Sequence, residues 1–533
     1  MTDPKTIRVL VSEPLSEAGL DELRVHFDVD YRPECTDAEL GGALEAAQAL
    51  IVRSKTRVTA PRIRAARSLR VIGRAGVGYD NIDLDAATER GILVMNVPDA
   101  NTMAATEHTF ALMLALARRI PQAVQTMREQ KWKRSDLVGH ELYEKTLGVV
   151  GFGRIGKEIA HRAQAFGMSV LVFDPYVTEE KATALGVGLA SLDALLARSD
   201  FMTLHVPLTD ATRKLIGREQ LARMKPTAFL INCARGGIID DEALAEALAQ
   251  RRISGAALDV YVTEPPDFSA PLLAGNLPNL ICTPHLGAST EEAQEKVGTS
   301  IARQVTSALV NEEFANSVNL PVIDPVELAK LRPFMRLAER MAVFLARWLE
   351  TRVGQLELVC EGEVARLDTG YVQRAALKGF LSCCLEGPVT YVNAPKLAEQ
   401  RGLKLMQSLK AGGGAWTSRI TLANRTDSGC QFLAGSVTTA GEPRLTSVND
   451  FEIDMSLEGK ILLFFHHDQP GVIGRVGTIL GNSKVNIGRM EVGRKGQGED
   501  AIMVLSVDSE VDDRVLANLR ELDEIRDVRM IGL

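Results

Sequence analysis

The chain has 533 residues, of which 46% are hydrophobic and 24% are charged, a composition typical of folded globular proteins. A chain of this length exceeds what one hydrophobic core usually supports, so we expect about three or four domains. The formal net charge is -8, and the 61 lysines and arginines are scattered without a basic run. This distribution argues against a nucleic-acid-binding surface.

The cysteines and the apolar segments indicate the cellular compartment of the protein. The seven cysteines, an odd number without a CxxC pair, do not form a disulfide framework and favour a reducing, cytoplasmic setting. The N-terminal MTDPKTIRVLVSEPL lacks the basic start and apolar core of a signal peptide. The longest apolar helix candidate, His108 to Ala117, is too short to span a bilayer, so no membrane contact is expected.

Two series of short apolar runs alternate with amphipathic stretches, which predicts two α/β units with parallel sheets and a cleft between them. The first series gives strands at 6–11, 49–53, 70–72 and 92–95. The second starts at Thr146, with helices that include 155–166 and 241–250. Its strands are predicted near 147–152, 169–174, 201–205, 227–232, 255–259 and 279–282.

The segment from Asn101 to Arg119 reads as a long apolar helix between the two series. It is either a plain core helix or the crossing between lobes, with its N-terminus near the cleft, and both can hold. After Asn316–Pro321 the pattern changes: 325–350 is predicted to be helical, and a compact β-α-β pattern starts at Lys460. No catalytic cluster is visible in the part between them.

A dinucleotide-binding signal lies in TLGVVGFGRIGKEIAHRAQAFGMSVLVFDPY, where Gly151, Gly153 and Gly156 form G-x-G-x-x-G. The motif follows an apolar strand, opens a helix, and precedes Asp174 at the end of the next strand, which is its full expected context. The alternative is a glycine turn in an empty α/β domain. A carboxylate at Asp174 accepts hydrogen bonds from ribose hydroxyls and repels a 2′-phosphate, so NAD is predicted over NADP.

Three polar side chains follow three successive strand ends of the second series. Arg235 in INCARGGIID can grip a carboxylate, and Gly236 and Gly237 are interpreted as leaving room for nicotinamide and substrate. Glu264 in DVYVTEPP and His285 in TPHLGAST follow. A histidine with a carboxylate partner is a suitable base for oxidising a secondary alcohol, although a lone histidine is more often structural.

The motifs GRAGVGYDNIDL, GFGRIG, NCARGGIID, DVYVTEPP and TPHLGAST resemble the D-isomer-specific 2-hydroxyacid dehydrogenases over residues 1 to about 320. The resemblance implies that Arg235 orients the substrate, that His285 is the acid/base, and that Glu264 is its partner. It also implies cofactor contacts at Val77, Gly151, Gly153, Arg154, Ile155, Gly156, Asp174, Val206, Pro207, Cys233, Ala234, Arg235, Asp259, His285, Leu286, Gly287 and Ala288.

The resemblance extends to long members of the family and implies a phosphorylated substrate. The expected activity is the oxidation of 3-phospho-D-glycerate to 3-phosphohydroxypyruvate, the first step of L-serine synthesis. Arg134 is expected to reach in from a partner subunit, although it could equally be a solvated surface residue. The expected substrate contacts are Arg53, Ser54, Arg74, Ala75, Gly76, Val77 and Arg134.

The segment HHDQPGVIGRVGTILGNSKVNIGRMEV resembles an ACT domain, a β-α-β-β-α-β regulatory module. The resemblance implies L-serine bound between paired subunits by His466, Asp468 and Asn486, and the alternative is a module that only dimerises. Adjacent His466 and His467 on a strand face opposite sides, so no metal site is expected.

The predicted fold class is therefore α/β, with two Rossmann-like doubly wound lobes followed by an α/β intervening domain and a ferredoxin-like ACT domain. The protein is expected to be a homo-oligomer, with a tetramer favoured. Two alternative functions remain: a dehydrogenase of another D-2-hydroxy acid, or a dinucleotide-sensing interaction protein like some transcriptional corepressors. The expected domains are substrate-binding 1–98 with 285–318, NAD-binding 99–284, intervening 319–455 and ACT 456–533.

Overall fold

The computed structural model describes residues 4–275, 277–349, 355–412, 416–427 and 429–533. The first sheet is parallel, with strand order β2-β1-β3-β4-β5. The strand β2 was not predicted because its sequence, DVDY, is a half-exposed run at the sheet edge. The elements are β1 (Arg8–Val11), α1 (Glu17–His26), β2 (Asp28–Tyr31), α2 (Asp37–Ala46), β3 (Ala49–Val52), α3 (Ala60–Ala65), β4 (Val71–Arg74), α4 (Leu84–Glu89) and β5 (Leu93–Asn96).

The second sheet is also parallel, with order β12-β11-β10-β9-β6-β7-β8, and it contains all six predicted strands. The unpredicted β8 has only two residues. The elements are α5 (Thr102–Ala117), α6 (Ile120–Arg128), β6 (Thr146–Val150), α7 (Arg154–Ala165), β7 (Ser169–Phe173), α8 (Glu179–Ala184), β8 (Gly188–Leu189), α9 (Leu192–Arg198), β9 (Phe201–Leu204), α10 (Arg218–Arg223), β10 (Phe229–Asn232), α11 (Asp241–Ala249), β11 (Gly255–Leu258), α12 (Pro271–Ala274) and β12 (Leu280–Cys282).

Helix α5 links the two sheets, and both interpretations of it hold. Its apolar residues Phe110 and Met113 are buried in one core with Ile159 of α7, so it is a core helix of the second unit. Just before its start, Asp99 forms an ion pair with Arg154, the first residue of α7. The N-terminus of α5 therefore lies beside the glycine-rich turn.

Helix α13 (Glu291–Val310) returns the chain to the first sheet. A Cβ atom on Gly19 of α1 would lie 2.7 Å from the backbone of Gly298, so the two helices cross without side chains between them. The chain then runs beside β5, where the Asn319 side-chain oxygen accepts a hydrogen bond from Val94 N at 3.0 Å. The first unit is thus built from both ends of the catalytic region.

The third unit packs helices on a mixed six-stranded sheet of order β14-β13-β15-β16-β17-β18. Helix α14 bears out the helix predicted at 325–350 as far as Trp348 and packs along α15. The elements are α14 (Pro325–Trp348), β13 (Gln355–Gly362), α15 (Gly370–Ser382), α16 (Ala394–Gln400), β14 (Lys404–Lys410), β15 (Ser418–Thr426), β16 (Gly429–Val437), β17 (Pro443–Val448) and β18 (Phe451–Ser456).

The C-terminal unit has the predicted β-α-β-β-α-β order and an antiparallel sheet, β20-β21-β19-β22. One face of β19 packs under its own helices through Leu462 and Phe464, and the other face joins the core around Trp348 through Leu463. Within the described residues, no helix combines the length and apolarity that a membrane crossing requires. The elements are β19 (Lys460–His467), α17 (Val472–Asn482), β20 (Ile487–Arg494), β21 (Asp500–Val507), α18 (Asp513–Arg520) and β22 (Ile525–Gly532).

Candidate active site

The turn between β6 and α7 has the shape that a dinucleotide pyrophosphate requires. Gly151 has a φ of +91°, and a Cβ there would lie 2.5 Å from the carbonyl oxygen of His205. A Cβ on Gly156 would overlap the carbonyl of Gly151, so only glycine lets helix and strand pack this closely. Gly153 faces open space in front of the α7 N-terminus, where free N–H groups can bind phosphate.

Asp174 follows β7 and is held at the rim of this turn. One carboxylate oxygen accepts a hydrogen bond from Phe152 N at 2.7 Å, and the other accepts one from Tyr176 N at 2.8 Å. Each oxygen keeps a lone pair for a further donor. The residues present therefore fit an NAD ribose and pyrophosphate.

His285 and Glu264 form the predicted pair. His285 Nδ1 lies 2.7 Å from Glu264 Oε2, and Tyr261 N donates to Glu264 Oε1 at 3.2 Å. Burial raises the pKa of Glu264, but the hydrogen bond and charge of His285 and the Tyr261 bond together outweigh it and lower that pKa. Because the ionised carboxylate can only accept, Nδ1 carries the proton and Nε2 is left as the acceptor.

The backbone at His285 is in the left-handed region, with a φ of +55°. The next two amides, Leu286 N and Gly287 N, donate to the carboxylate of Asp259 at 2.7 and 2.8 Å. Asp259 is fully buried, and Thr283 Oγ1 also donates to it at 2.6 Å. This carboxylate, which is also a predicted cofactor contact, organises the turn that carries His285.

Arg235 follows β10 and reaches across to the first unit. Its Nε donates to Asp80 Oδ2 at 3.0 Å and its Nη1 to its neighbour's carbonyl, Ala234 O, at 2.7 Å. Its Nη2 occupies the space where a Cβ on Gly78 would stand. The buried Asn232 fixes this turn, since it accepts from Ala234 N at 3.0 Å and donates to Arg235 O at 2.9 Å.

The interpretation of Gly236 as room for ligands is wrong. A Cβ on Gly236 would overlap the backbone of Tyr261, the residue just beyond the neighbouring strand β11. Gly237 has a φ of +81° and only ordinary contacts around its Cβ position. The two glycines therefore serve the packing and turning of the chain behind Arg235.

Two more arginines, Arg53 and Arg74, lie on the first unit at the carboxyl ends of β3 and β4. Burial, and next the positive charge of Arg235, lower the pKa of Arg74 to about 10, while Glu13 and Asp80 oppose this shift. Arg74 Nη1 donates to Ala75 O at 2.9 Å, and its buried Nε has no partner among the described residues. Arg53 and Arg235 thus both lie within electrostatic range of Arg74.

The loop that carries Arg53 and Ser54 is organised by the buried Glu13. The carboxylate of Glu13 accepts three backbone hydrogen bonds, from the N–H groups of Arg53, Lys55 and Thr56, at 2.8 to 3.1 Å. Ser54 itself is exposed. Beside the loop is a recess of about 90 Å³ lined by Pro14, Leu15, Ser16, Arg53, Ala75, Gln294 and Val297.

The other predicted cleft residues surround these groups. The Val77 carbonyl accepts from Asn96 Nδ2 at 2.6 Å, which fixes the loop of Ala75 and Gly76 after β4. Val206, which precedes Pro207, contacts the position that a Gly151 Cβ would take. Burial raises the pKa of the Cys233 thiol to about 12, so this cysteine is not a thiolate nucleophile. Ile155 lies in the first turn of α7, and Ala288 directly follows Gly287.

Arg134 is not part of this cluster within one chain. It begins an exposed 3₁₀ helix, Arg134–Leu137, on the segment that follows α6. No group of three or more possible metal ligands occurs among the described residues.

The three predicted effector residues are engaged with separate partners. His466 is buried, and its Nδ1 lies 2.8 Å from the carbonyl oxygen of His467. Asp468 Oδ2 accepts from Arg494 Nη1 at 3.3 Å, and Asn486 Nδ2 donates to Asp508 at 2.6 Å. A ligand bound by Asp468 or Asn486 would compete with these contacts, whereas the buried His466 Nε2 has no partner among the described residues.

Several site residues were missed by sequence reasoning. Asp80 lies in the quoted GRAGVGYDNIDL motif, but its pairing with Arg235 joins two distant segments. Glu13, Asn232 and Thr283 carry no spacing signal and act through buried hydrogen bonds. Asn101, whose buried Oδ1 has no partner among the described residues, was recognised only as the start of α5.

Comparison with known proteins gives matches along most of the chain. The chain matches three family models: the NAD-binding domain of D-isomer specific 2-hydroxyacid dehydrogenases over residues 110–287, the D-3-phosphoglycerate dehydrogenase intervening domain over 330–449, and the ACT domain over 460–524. It is 43% identical to D-3-phosphoglycerate dehydrogenase of Methanocaldococcus jannaschii, across 99% of this chain and 100% of that protein. The chain belongs to the D-3-phosphoglycerate dehydrogenase family.

Further relatives support the same assignment. D-3-phosphoglycerate dehydrogenase of Bacillus subtilis is 40% identical, with 99% of each chain covered. A D-lactate dehydrogenase from Aquifex aeolicus, solved with NAD and lactic acid, matches at a TM-score of 0.53 and 30% identity over 59% of this chain and 100% of its own. The predicted family, fold class, cofactor NAD and activity as an NAD-dependent oxidoreductase of this family are confirmed.

Proposed function

We propose that the chain oxidises 3-phospho-D-glycerate at C2 to 3-phosphohydroxypyruvate, the first step of L-serine synthesis. The observations that carry this proposal are the His285–Glu264 pair and the arginines around Arg74. The first is the acid/base pair that alcohol oxidation needs, and the second is suited to a substrate with two anionic ends. They are linked through Tyr261, whose backbone packs on Gly236 beside Arg235 and donates to Glu264. The curated relatives of nearly full length are named for this activity.

His285 acts as the general base in this proposal. Its Nε2 accepts the proton of the C2 hydroxyl, and the ionised Glu264, bonded to Nδ1 at 2.7 Å, stabilises the imidazolium that forms. In the reverse direction the same nitrogen returns the proton. Bound NAD supplies the acceptor for the C2 hydride.

Arg235 orients the substrate carboxylate. Because its Nε is bonded to Asp80 and its Nη1 to a carbonyl, the Nη2 end beside Gly78 is the part left for the carboxylate. Arg53 and Arg74, with Ser54 and the loop Ala75–Val77, then face the phosphate end. The depressed pKa of the buried Arg74 supports this role, since a nearby dianion would offset the mutual repulsion of the arginines.

We also propose that a second copy of the chain covers α6 and the segment after it. Helix α6 has no buried residue in the single chain, and five apolar side chains stand exposed around it: Ile120, Val124, Met127, Trp132 and Val138. An exposed apolar patch of this kind marks an interface. Arg134 lies within it, so a homodimer, and in turn a homotetramer, would carry Arg134 to a partner.

The ACT domain indicates binding of a small-molecule effector. We propose L-serine, held between paired subunits by His466, Asp468 and Asn486, as feedback control of the pathway. We propose domain boundaries at 98/99, 284/285, 318/319 and 455/456, the last of which falls one residue before the end of β18. We propose a cytoplasmic location because all seven cysteines are free thiols.

The test is a substrate panel followed by NADH absorbance at alkaline pH, with and without L-serine. We expect 3-phospho-D-glycerate to be preferred over D-lactate and D-glycerate, and His285→Ala to abolish turnover. The matched control is His161→Ala, an exposed histidine of α7. NADH binding without turnover of any D-2-hydroxy acid would refute the proposed activity.

A further inference from the structure

Helix α5 carries a histidine whose role neither the sequence motifs nor the proposed mechanism uses. His108 lies in the second turn of α5, and its side chain is only 17% exposed. Its Nε2 lies 3.1 Å from Asp259 Oδ1 and 3.3 Å from Thr283 Oγ1. It is therefore packed behind the turn that carries His285.

The hydrogen bonds around Asp259 fix where the protons are. Thr283 Oγ1 has one hydrogen and lies 2.6 Å from Asp259 Oδ1, so that hydrogen is donated to the carboxylate. The ionised carboxylate has none to give. His108 Nε2 must consequently carry a hydrogen and donate it to this oxygen pair.

Asp259 depends on these donors to remain ionised in a fully buried position. Burial alone raises its pKa, but the hydrogen bonds from His108, Thr283 and Leu286 N outweigh burial and lower it. Leu286 N donates to the same oxygen as these side chains, Oδ1, and Gly287 N donates to Oδ2. One buried group thus connects α5 to the two residues that follow His285.

The turn at His285 needs such support. Its φ of +55° is sparsely populated for a residue with a side chain, and it persists where surrounding contacts over-determine it. The two amide bonds to Asp259 supply these contacts. If Asp259 moved, the imidazole would lose the orientation in which Nδ1 meets Glu264 and Nε2 faces the cleft.

We propose that His108 is a positioning residue for the reaction: its Nε2–H fixes Asp259, and Asp259 in turn holds the turn that presents His285. The proposal rests on the proposed role of His285 as the base. Because α5 is the helix between the two lobes, His108 also links the turn that carries His285 to this helix.

The kinetic test compares His108→Leu with His108→Gln in the full-length protein. Gln reaches as far as Nε2 and keeps a donor there, whereas Leu keeps the volume and removes it. We expect Leu to lower kcat about 10- to 100-fold, with KM for 3-phospho-D-glycerate nearly unchanged and a larger isotope effect with C2-deuterated substrate. Gln should restore most of kcat, and His161→Leu on the exposed face of α7 should leave it unchanged.

A merely structural histidine gives a different result. Loss of folded enzyme would lower kcat without changing the isotope effect, and Gln would not rescue it. Equal impairment of Leu and Gln with an unchanged isotope effect, or full activity of His108→Leu, would overturn the proposal.

A second readout does not depend on turnover. Amide hydrogen exchange at Leu286 and Gly287 in the NAD-free protein should be about 10-fold faster in His108→Leu and near the wild-type rate in His108→Gln. If wild type oxidised no hydroxy acid, the proposed function would fail while this measurement still decided the positioning of the turn. Unchanged exchange in His108→Leu would show that Asp259 does not need His108.

Discussion

Replacing Glu264 with Gln removes one charge from the acid/base pair and keeps its shape. In the wild type, His285 Nδ1 lies 2.7 Å from a carboxylate oxygen of Glu264. The Gln side chain can still accept this hydrogen bond, but it has no negative charge to stabilise the imidazolium that forms when His285 takes the proton. A hydrogen bond to a charged group contributes about 1.5–3 kcal/mol. The two side chains are 40% and 35% exposed, so solvent screening places the effect in the lower half of that range.

Each 1.4 kcal/mol of lost transition-state stabilisation is a factor of about ten, so kcat of Glu264→Gln should fall about 10- to 40-fold. Substrate KM should change little, because Glu264 contacts His285 and Tyr261 N in this site. Steady-state NADH formation over a 3-phospho-D-glycerate series measures both constants.

The matched control is Glu219→Gln, which breaks a surface ion pair with Arg223 one helical turn away. It should leave kcat unchanged. A Glu264→Gln enzyme with wild-type kcat would refute the reasoning, because the carboxylate would then contribute nothing to proton transfer. A raised KM with unchanged kcat would place Glu264 in substrate binding instead.

Three further outcomes follow from the same geometry. In Arg235→Lys, the single ammonium group cannot both bond Asp80 and bind the substrate carboxylate. The KM for the substrate should therefore rise about 10-fold or more, while the Kd of NADH, measured by fluorescence, stays the same. Asp174→Ser removes the carboxylate that opposes a 2′-phosphate, so the NADP/NAD ratio of kcat/KM should rise about 10-fold or more, and an unchanged ratio would contradict the assigned ribose contact. The lowered pKa of Asp259 stabilises the fold above its unfolded value of about 3.9, and this contribution is lost as pH falls through the folded pKa. The free energy of unfolding of Asp259→Asn, measured by denaturant titration, should therefore fall less steeply on acidification than that of wild type.

Residues that work through their immediate neighbours in sequence were predictable. Gly156 packs on Gly151 within the same turn, and Asp174 lies at the next strand end. Arg235, Glu264 and His285 were found because parallel strands end at one edge of a sheet. In each case a local pattern determines which way the side chain points.

Residues that work by pairing distant segments were not predictable in the same way. Asp80 and Arg235 are 155 positions apart, and only the fold brings His108 of α5 to Asp259, which follows β11. The role of Gly236 was predicted wrongly for the same reason, because it packs on the backbone of Tyr261, just beyond the neighbouring strand β11. The edge strand β2 was missed because it lacks the apolar run that marked its neighbours.

The intervening and ACT units contact the two α/β units through packed elements of the same chain. The Phe465 ring of β19 stacks on Trp348 at the end of α14, with centroids 5.7 Å apart. The chain that leads into α14 is bonded to β5, whose Asn96 holds the Val77 carbonyl in the cleft. The intervening unit also touches the turn before β5, where Thr390 Oγ1 donates to Gly91 O at 3.0 Å and Lys396 pairs with Glu89 at 2.9 Å.

A ligand on the ACT domain can shift catalysis only by binding two arrangements of the chain with different affinity. The contacts around β5 are a route for such a shift, because they join β5 and the turn before it to the chain leading into α14 and to the 390–396 segment. A movement of β5 would carry the Val77 carbonyl and the loop of Arg74 with it. Feedback by this route would change substrate KM through the phosphate end of the cleft, while the His285–Glu264 pair, which follows β11 and β12 of the second sheet, kept its geometry.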